Sequence, residues 1–398
     1  MIFPQNFVSA LNEQGVDFFT GVPDSLLKSF CAYITDNCGA NHVIAANEGG
    51  AVGLAAGHYL ATGNPALVYM QNSGQGNAVN PLCSLADPDV YSIPMVLLVG
   101  WRGEPGVKDE PQHVKQGKVT VSLFEVLGIP TEILPDDEPA ALELTRMMVK
   151  KAKSESRPVA LVVRKGLFAE YKLQDKKPDI AALPREQAIE DILKSLPDDA
   201  VVVSTTGMIS REVYETRERL GQDHSRDFLT VGSMGHAIMI ALGIAKAQPN
   251  RRVFCLDGDG ASIMQMGNMA IAGQSGCANL THIVLNNAAH DSVGGQPTVG
   301  GDINLSSIAA SCGYRVDSSL TLDSPSTSNS PSNFNSPLQH SESSASLPLC
   351  APALKTSTAK PTFLEIKVAK GARKDLGRPK EPPQVNKALY MKMLGVAW

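Results

Sequence analysis

Charge of either sign is in short surplus here: the net charge is only −5 over 398 residues, with no basic excess to draw a nucleic-acid backbone. Aromatic residues are also scarce, at 5 %. The seven cysteines are scattered and include no C-x-x-C pair, which argues against a zinc ribbon or a disulfide framework and suits a reducing cytoplasm. No apolar run reaches membrane-spanning length, so no membrane partner is expected. The opening Met1-Ile2-Phe3-Pro4-Gln5-Asn6 has neither the basic segment nor the apolar core of a signal peptide. What the chain does have is 43 % hydrophobic and 19 % charged residues, the balance of a globular protein long enough for two or three domains.

Short β-branched runs alternate with helical patterns through the first half: Phe18-Phe19-Thr20, Val43-Ile44-Ala45, Ala66-Leu67-Val68-Tyr69, Met95-Val96-Leu97-Leu98-Val99 and Ala160-Leu161-Val162-Val163. Helices are predicted between them at 25–35, 49–61 and 140–152. This is the βαβ rhythm of a parallel sheet. The polar stretch 171–184 reads as a linker, and a second series starts at Ala200-Val201-Val202-Val203. The predicted organisation is therefore a first α/β domain at 1–170 and a second at 185–398. Residues 317–360 interrupt the second with a Ser/Pro-rich composition that predicts a disordered loop. A strand is predicted from Thr362, then the basic run 370–380 and a last helix at 386–394.

The most informative motif is Gly258-Asp259-Gly260, followed after a helix and a strand by Asn286-Asn287. A helix of about twelve residues and a return strand of about six each travel roughly 18–20 Å, so Asp259 and Asn287 are predicted to meet at one sheet edge. Open α/β sheets bind ligands at such carboxyl ends. A carboxylate, an amide oxygen and a backbone carbonyl form a hard oxygen shell suited to Mg²⁺, and the flanking Gly258 and Gly260 let a diphosphate approach the backbone. The pattern resembles a thiamine diphosphate site. Thiamine chemistry also needs a carboxyl against the aminopyrimidine, and Glu48, between the strand at 43–45 and a small-residue helix, fits that need.

Longer stretches carry a more specific resemblance. Phe19-Thr20-Gly21-Val22-Pro23-Asp24-Ser25-Leu26-Leu27-Lys28, Ala46-Asn47-Glu48-Gly49-Gly50-Ala51, Gly100-Trp101-Arg102-Gly103-Glu104-Pro105-Gly106 and residues 286–297 are similar to the phosphonopyruvate decarboxylase family, itself similar to sulfopyruvate decarboxylase. The resemblance covers nearly all of the chain outside the Ser/Pro-rich segment. It implies two thiamine diphosphate-binding domains of α/β class, each a parallel sheet flanked by helices, the first taking the pyrimidine and the second the diphosphate. It further implies Mg²⁺ and a unit of at least two copies, with Glu48 of one copy facing cofactor held by another.

Residue by residue, the resemblance makes Asp259, Asn287 and the Ala289 carbonyl the metal ligands. Thr206 and Gly207 match a cofactor-contacting turn; in Ser233-Met234-Gly235, Met234 matches the wedge that bends the cofactor. Asp24, His113 and His290 match positions that handle protons near the reacting carbon. The implied reaction is decarboxylation of the 2-oxo acid 3-phosphonopyruvate to phosphonoacetaldehyde and carbon dioxide, on the way to 2-aminoethylphosphonate. The second anionic group of that substrate needs a cation, for which Arg102 and Lys28 are the candidates. Two alternatives stand beside this reading: a sulfopyruvate decarboxylase, and a noncatalytic cofactor-binding subunit.

Overall fold

The computed structural model describes residues 1–174, 178–316 and 360–396. Apart from Lys360, the stretch expected to form a disordered loop lies outside the described residues. The chain divides into two compact units, Met1–Pro178 with Ala289–Thr298, and Asp179–Ala288 with Val299–Trp398. The excursion of ten residues into the first unit has no signal in the sequence.

In the first unit six parallel strands, β1 (Phe19–Gly21), β2 (His42–Ile44), β3 (Ala66–Gln71), β4 (Met95–Gly100), β5 (Thr131–Ile133) and β6 (Pro158–Val163), line up in the order β2-β1-β3-β4-β6-β5. The helices are α1 (Pro4–Asn12), α2 (Lys28–Asn37), α3 (Glu48–Thr62), α4 (Gln75–Pro81), α5 (Pro111–Val126) and α6 (Glu138–Glu155). Because side chains alternate along a strand, β3 sends Leu67 and Tyr69 into one hydrophobic cluster and Val68 and Met70 into another. Both faces of β3 are thus buried, which explains why it reads as a continuous apolar run. The Asn47 side chain accepts from the Gly50 N–H at 2.8 Å and starts α3, while Gly63 ends it in the left-handed conformation.

The second unit holds β7 (Val201–Ser204), β8 (Asp227–Leu229), β9 (Val253–Gly258), β10 (Leu280–Asn286), β11 (Arg315–Val316) and β12 (Thr362–Lys367). Its helices are α7 (Arg185–Ser195), α8 (Met208–Arg219), α9 (Ala237–Ala247), α10 (Asp259–Met264), α11 (Gly267–Gly273), α12 (Leu305–Cys312) and α13 (Pro383–Met393). The strands are again all parallel. Read from one edge their order is β8-β7-β9-β10-β12-β11, which reproduces strand for strand the order of the first sheet. The two halves share a topology without a visible sequence repeat. In each, the order reverses between the first and third strands, the position where open α/β sheets take their ligands.

One expectation needs correction. The single helix expected across 261–273 is broken: Gln265 leaves the helical region at φ −129° and ψ 48°, dividing α10 from α11. Residues 234–236 precede α9 as a turn, with positive φ at Ser233 and Gly235. Among the described residues no helix is long and apolar enough to cross a membrane.

Candidate functional site

The chemistry expected of the second unit gathers at the carboxyl ends of β7, β9 and β10. Pairing of β9 with β10 sets Gly258 opposite Leu285, so Asp259 and Asn287 follow at the same sheet edge. Both side chains are buried, at 2 % and 3 % exposure. Their neighbour Asn286 has a different task. Its amide donates to the Gly300 carbonyl at 2.6 Å and to the Glu365 carboxylate at 2.8 Å, and its oxygen accepts from the Ala288 N–H at 3.0 Å. Asn286 thus ties the loop down, and Ala288 takes a left-handed φ of 56° within it. A Cβ on Gly300 would lie 2.5 Å from an Asp259 carboxylate oxygen and 3.0 Å from the Asn286 amide oxygen, so only glycine fits against this pair.

Behind that edge, Asp257 accepts from the Gly258 N–H at 3.0 Å and the Ser262 hydroxyl at 3.2 Å, and faces His282 Nε2 at 3.4 Å. These bonds fix the start of α10 against β10. Thr206 accepts the Gly232 N–H at 3.0 Å, and Gly207, at φ 96°, turns the chain into α8. No side chain caps α8, and the buried hydroxyls of Thr205 and Thr230 have no hydrogen-bond partner among the described residues. Ser233 is exposed and holds a positive φ of 49°. Met234 is half-buried and outside both core clusters of this unit, which separates it from an ordinary packing methionine.

These residues fit a magnesium-bound diphosphate. The donor set is oxygen only, as Mg²⁺ requires. An uncapped helix start beside a positive-φ glycine and two orphaned hydroxyls suits phosphate oxygens. Within the second unit Asp259 and Asn287 would hold the metal; Thr206, Gly207 and the start of α8 would meet the diphosphate.

The first unit holds the other expected residues. Glu48, at the first position of α3, is 4 % exposed and accepts from the Asn77 amide at 2.7 Å. Burial pushes its pKa up against the lowering effect of that bond. Gly74 backs directly onto it, since a Cβ there would lie 2.2 Å from Glu48 Oε1.

Asp24 is fully buried after β1 and bridges the strand-order reversal by accepting the Gln71 amide of β3 at 2.7 Å. It also accepts the Leu26 N–H at 2.9 Å. Burial raises its pKa; Gln71, Leu26 and the nearby Arg102 partly offset the rise. Arg102 spends its fork on Asp109, with Nε and Nη2 donating at 2.8 and 2.5 Å, and Nη1 donates to the Ser25 hydroxyl at 2.8 Å. Burial works to raise the pKa of Asp109, but Arg102 and the Glu110 and Gly103 N–H groups hold it well below the usual carboxylate range.

His113 lies in the first turn of α5, with burial and then Arg102 lowering its pKa to about 4. Its Nδ1 has no hydrogen-bond partner among the described residues. His290 is likewise lowered by burial to about 4. Both are neutral at pH 7. Lys28 stands exposed at the start of α2. The structure therefore brings Asp24, Arg102 and, through Asp109, the start of α5 together, while Glu48 forms its own pocket with Asn77 and Gly74.

Asn77, Gly74, Gln71 and Asp109 escaped the sequence reading. Each acts through a partner 7 to 47 positions away, a relation that local spacing does not encode. The basic C-terminal run is occupied structurally: Arg373 pairs with Glu186, Glu215 and Asp375, Lys380 pairs with Glu218, and Arg211 donates to the Leu376 and Gly377 carbonyls.

Comparison with known proteins places this geometry in a class. Residues 3–123 match the thiamine pyrophosphate enzyme N-terminal binding domain, and residues 205–323 match the corresponding C-terminal binding domain. The chain is 34 % identical to a phosphonopyruvate decarboxylase of Streptomyces hygroscopicus and 33 % identical to one of Streptomyces viridochromogenes, each match spanning 96 % of this chain and 92 % of the relative. A sulfopyruvate decarboxylase subunit beta of Methanothermobacter thermautotrophicus is 39 % identical over 34 % of this chain and 69 % of its own length. The chain belongs to the phosphonopyruvate decarboxylase family of thiamine diphosphate enzymes, and it is a decarboxylase.

Proposed function

We propose that this chain, as at least a homodimer, uses thiamine diphosphate and Mg²⁺ to decarboxylate 3-phosphonopyruvate to phosphonoacetaldehyde and carbon dioxide, in the biosynthesis of 2-aminoethylphosphonate. The observation that carries the reading is the buried Glu48 carboxyl in a chain whose second unit has the Asp259 and Asn287 oxygen set, along a match to phosphonopyruvate decarboxylases over nearly its whole length. Thiamine diphosphate, when bound, supplies a carbon nucleophile and an electron sink for the pair left by carbon dioxide. Glu48, with its raised pKa, is the group that exchanges a proton with the pyrimidine ring. Asp24 and the neutral His113 and His290 are the candidates for moving a proton to the product carbon. Met234 is the side chain for supporting the cofactor's bend, and Ser233 and Gly258 to Gly260 line its approach to the backbone.

Arg102, already oriented by Asp109, and the exposed Lys28 are the cations proposed to meet the substrate's anionic groups. Self-association is supported by α3, where Gly50, Gly53, Leu54, Gly57 and Leu60 form an exposed face. A Cβ at Gly53 or Gly57 would meet nothing within 4 Å, so packing inside the chain does not account for these glycines. Close approach of a second copy does.

The test is carbon dioxide release from phosphonopyruvate and from sulfopyruvate with both cofactors present. A higher kcat/KM for phosphonopyruvate is expected. Negligible turnover of it beside efficient turnover of sulfopyruvate would replace this substrate assignment with the alternative.

A further inference from the structure

The segment Ala289–Thr298 closes on itself. Ala289 and Pro297 form an antiparallel bridge, the His290 N–H donates to the Gln296 carbonyl at 2.8 Å, and the Gly295 N–H donates to the His290 carbonyl at 3.0 Å. Gly294 has a φ of 138°, and a Cβ there would lie 2.9 Å from both Nε2 and Oε1 of Gln296, so the amide rests over a bare α-carbon. Gln296 has no exposed surface, and among the described residues neither its donor nor its acceptor has a hydrogen-bond partner. Two unmet polar atoms in one buried side chain are costly and rare, so each calls for a partner or a role.

We infer that Gln296 is a specificity residue for the phosphonate end of the substrate, an assignment that rests on the functional reading above. An amide offers one donor side and one acceptor side. A singly protonated phosphonate offers the matching pair: Nε2 donates to a P–O⁻ oxygen and Oε1 accepts from P–OH. Phosphoryl groups hold that second proton up to a pH of roughly 6, so the matching form is present near neutrality. A sulfonate has acceptors only and leaves Oε1 unmet, which is the situation in which a buried polar site rejects an analogue.

The test compares the full-length wild type with Gln296→Met and Gln296→Glu, using phosphonoacetate and sulfoacetate as probes in thermal unfolding and phosphonopyruvate in turnover. Phosphonoacetate is expected to raise the wild-type Tm more than sulfoacetate does. In Gln296→Met that response disappears and KM for phosphonopyruvate rises roughly tenfold or more, while the ligand-free Tm holds or rises because the unmet amide is gone. Gln296→Glu keeps the shape, repels the anion and shows the same loss. An unchanged phosphonoacetate response and KM in both variants would overturn the assignment and leave the amide to a water molecule. Absence of phosphonopyruvate turnover in the wild type would instead sink the functional reading itself.

Discussion

Burial raises the pKa of Glu48 against the Asn77 amide that donates to it, and the bare α-carbon of Gly74 backs onto its carboxyl. Gly74→Ala therefore acts on catalysis through contact: the new methyl displaces the Glu48 carboxyl. Decarboxylation is expected to fall at least tenfold with near-native circular dichroism, whereas Gly76→Ala, which meets nothing within 4 Å, leaves the rate alone. Equal rates in the two variants would reject the role given to Gly74. Titration is a second matter at this scale. Burial holds His42 and His113 at about 4, below the 6.5 of free imidazole, so as pH falls the unfolded chain takes up these protons first. Their contribution to stability is complete above pH 6.5 and is lost progressively down to about 4. Urea midpoints should fall between pH 7 and pH 5, and the fall should lessen in His42→Phe; a slope untouched by the substitution would contradict the shift assigned to His42. The positions of Glu48 and Asp259 were legible in the sequence because each opens a helix that follows a predicted strand. Gly74 and Gln71 were not, because their meaning lies in side chains that only the folded sheet brings near.

Single elements divide the labour between adjacent residues. At the end of β10, Asn286 braces the loop to Gly300 and Glu365, and Asn287 is the proposed metal ligand. Asn286→Ala strips three buried hydrogen bonds and should destabilise the protein by about 2–3 kcal/mol in denaturant titrations. Asn287→Ala should instead weaken Mg²⁺-dependent cofactor binding in calorimetry with a smaller stability loss. If the two effects are exchanged, the ligand assignment belongs to Asn286. Strand and helix types were readable from apolar periodicity, as in β4 and α3. The break between α10 and α11 was not, since Gln265 and Met266 carry no Gly or Pro signal. Gln265 leaves the helical region in the folded chain, where the Asn268 amide donates to the Gly235 carbonyl at 3.0 Å.

At the scale of the molecule, two sheets of identical strand order each place candidate residues where the order reverses: Asp24 and Gln71 in one, Thr206 and Asp259 in the other. The βαβ rhythm announced both sheets, but not their shared order, which depends on pairings far apart in sequence. The exposed glycines of α3 make assembly testable without disturbing the fold. Gly57→Leu meets open space within one chain and suits a helix better than glycine, yet it should lower the mass found by light scattering at a given concentration. An unaltered mass would remove α3 from the interface. The central claim is that this chain is a thiamine diphosphate decarboxylase whose chemistry depends on the Glu48 proton. Its most direct test is the rate of carbon dioxide release from phosphonopyruvate by wild type and Glu48→Gln at saturating cofactor and Mg²⁺. A loss of roughly a hundredfold or more is predicted, in the range expected for removing a proton-transfer group; equal rates would contradict the account.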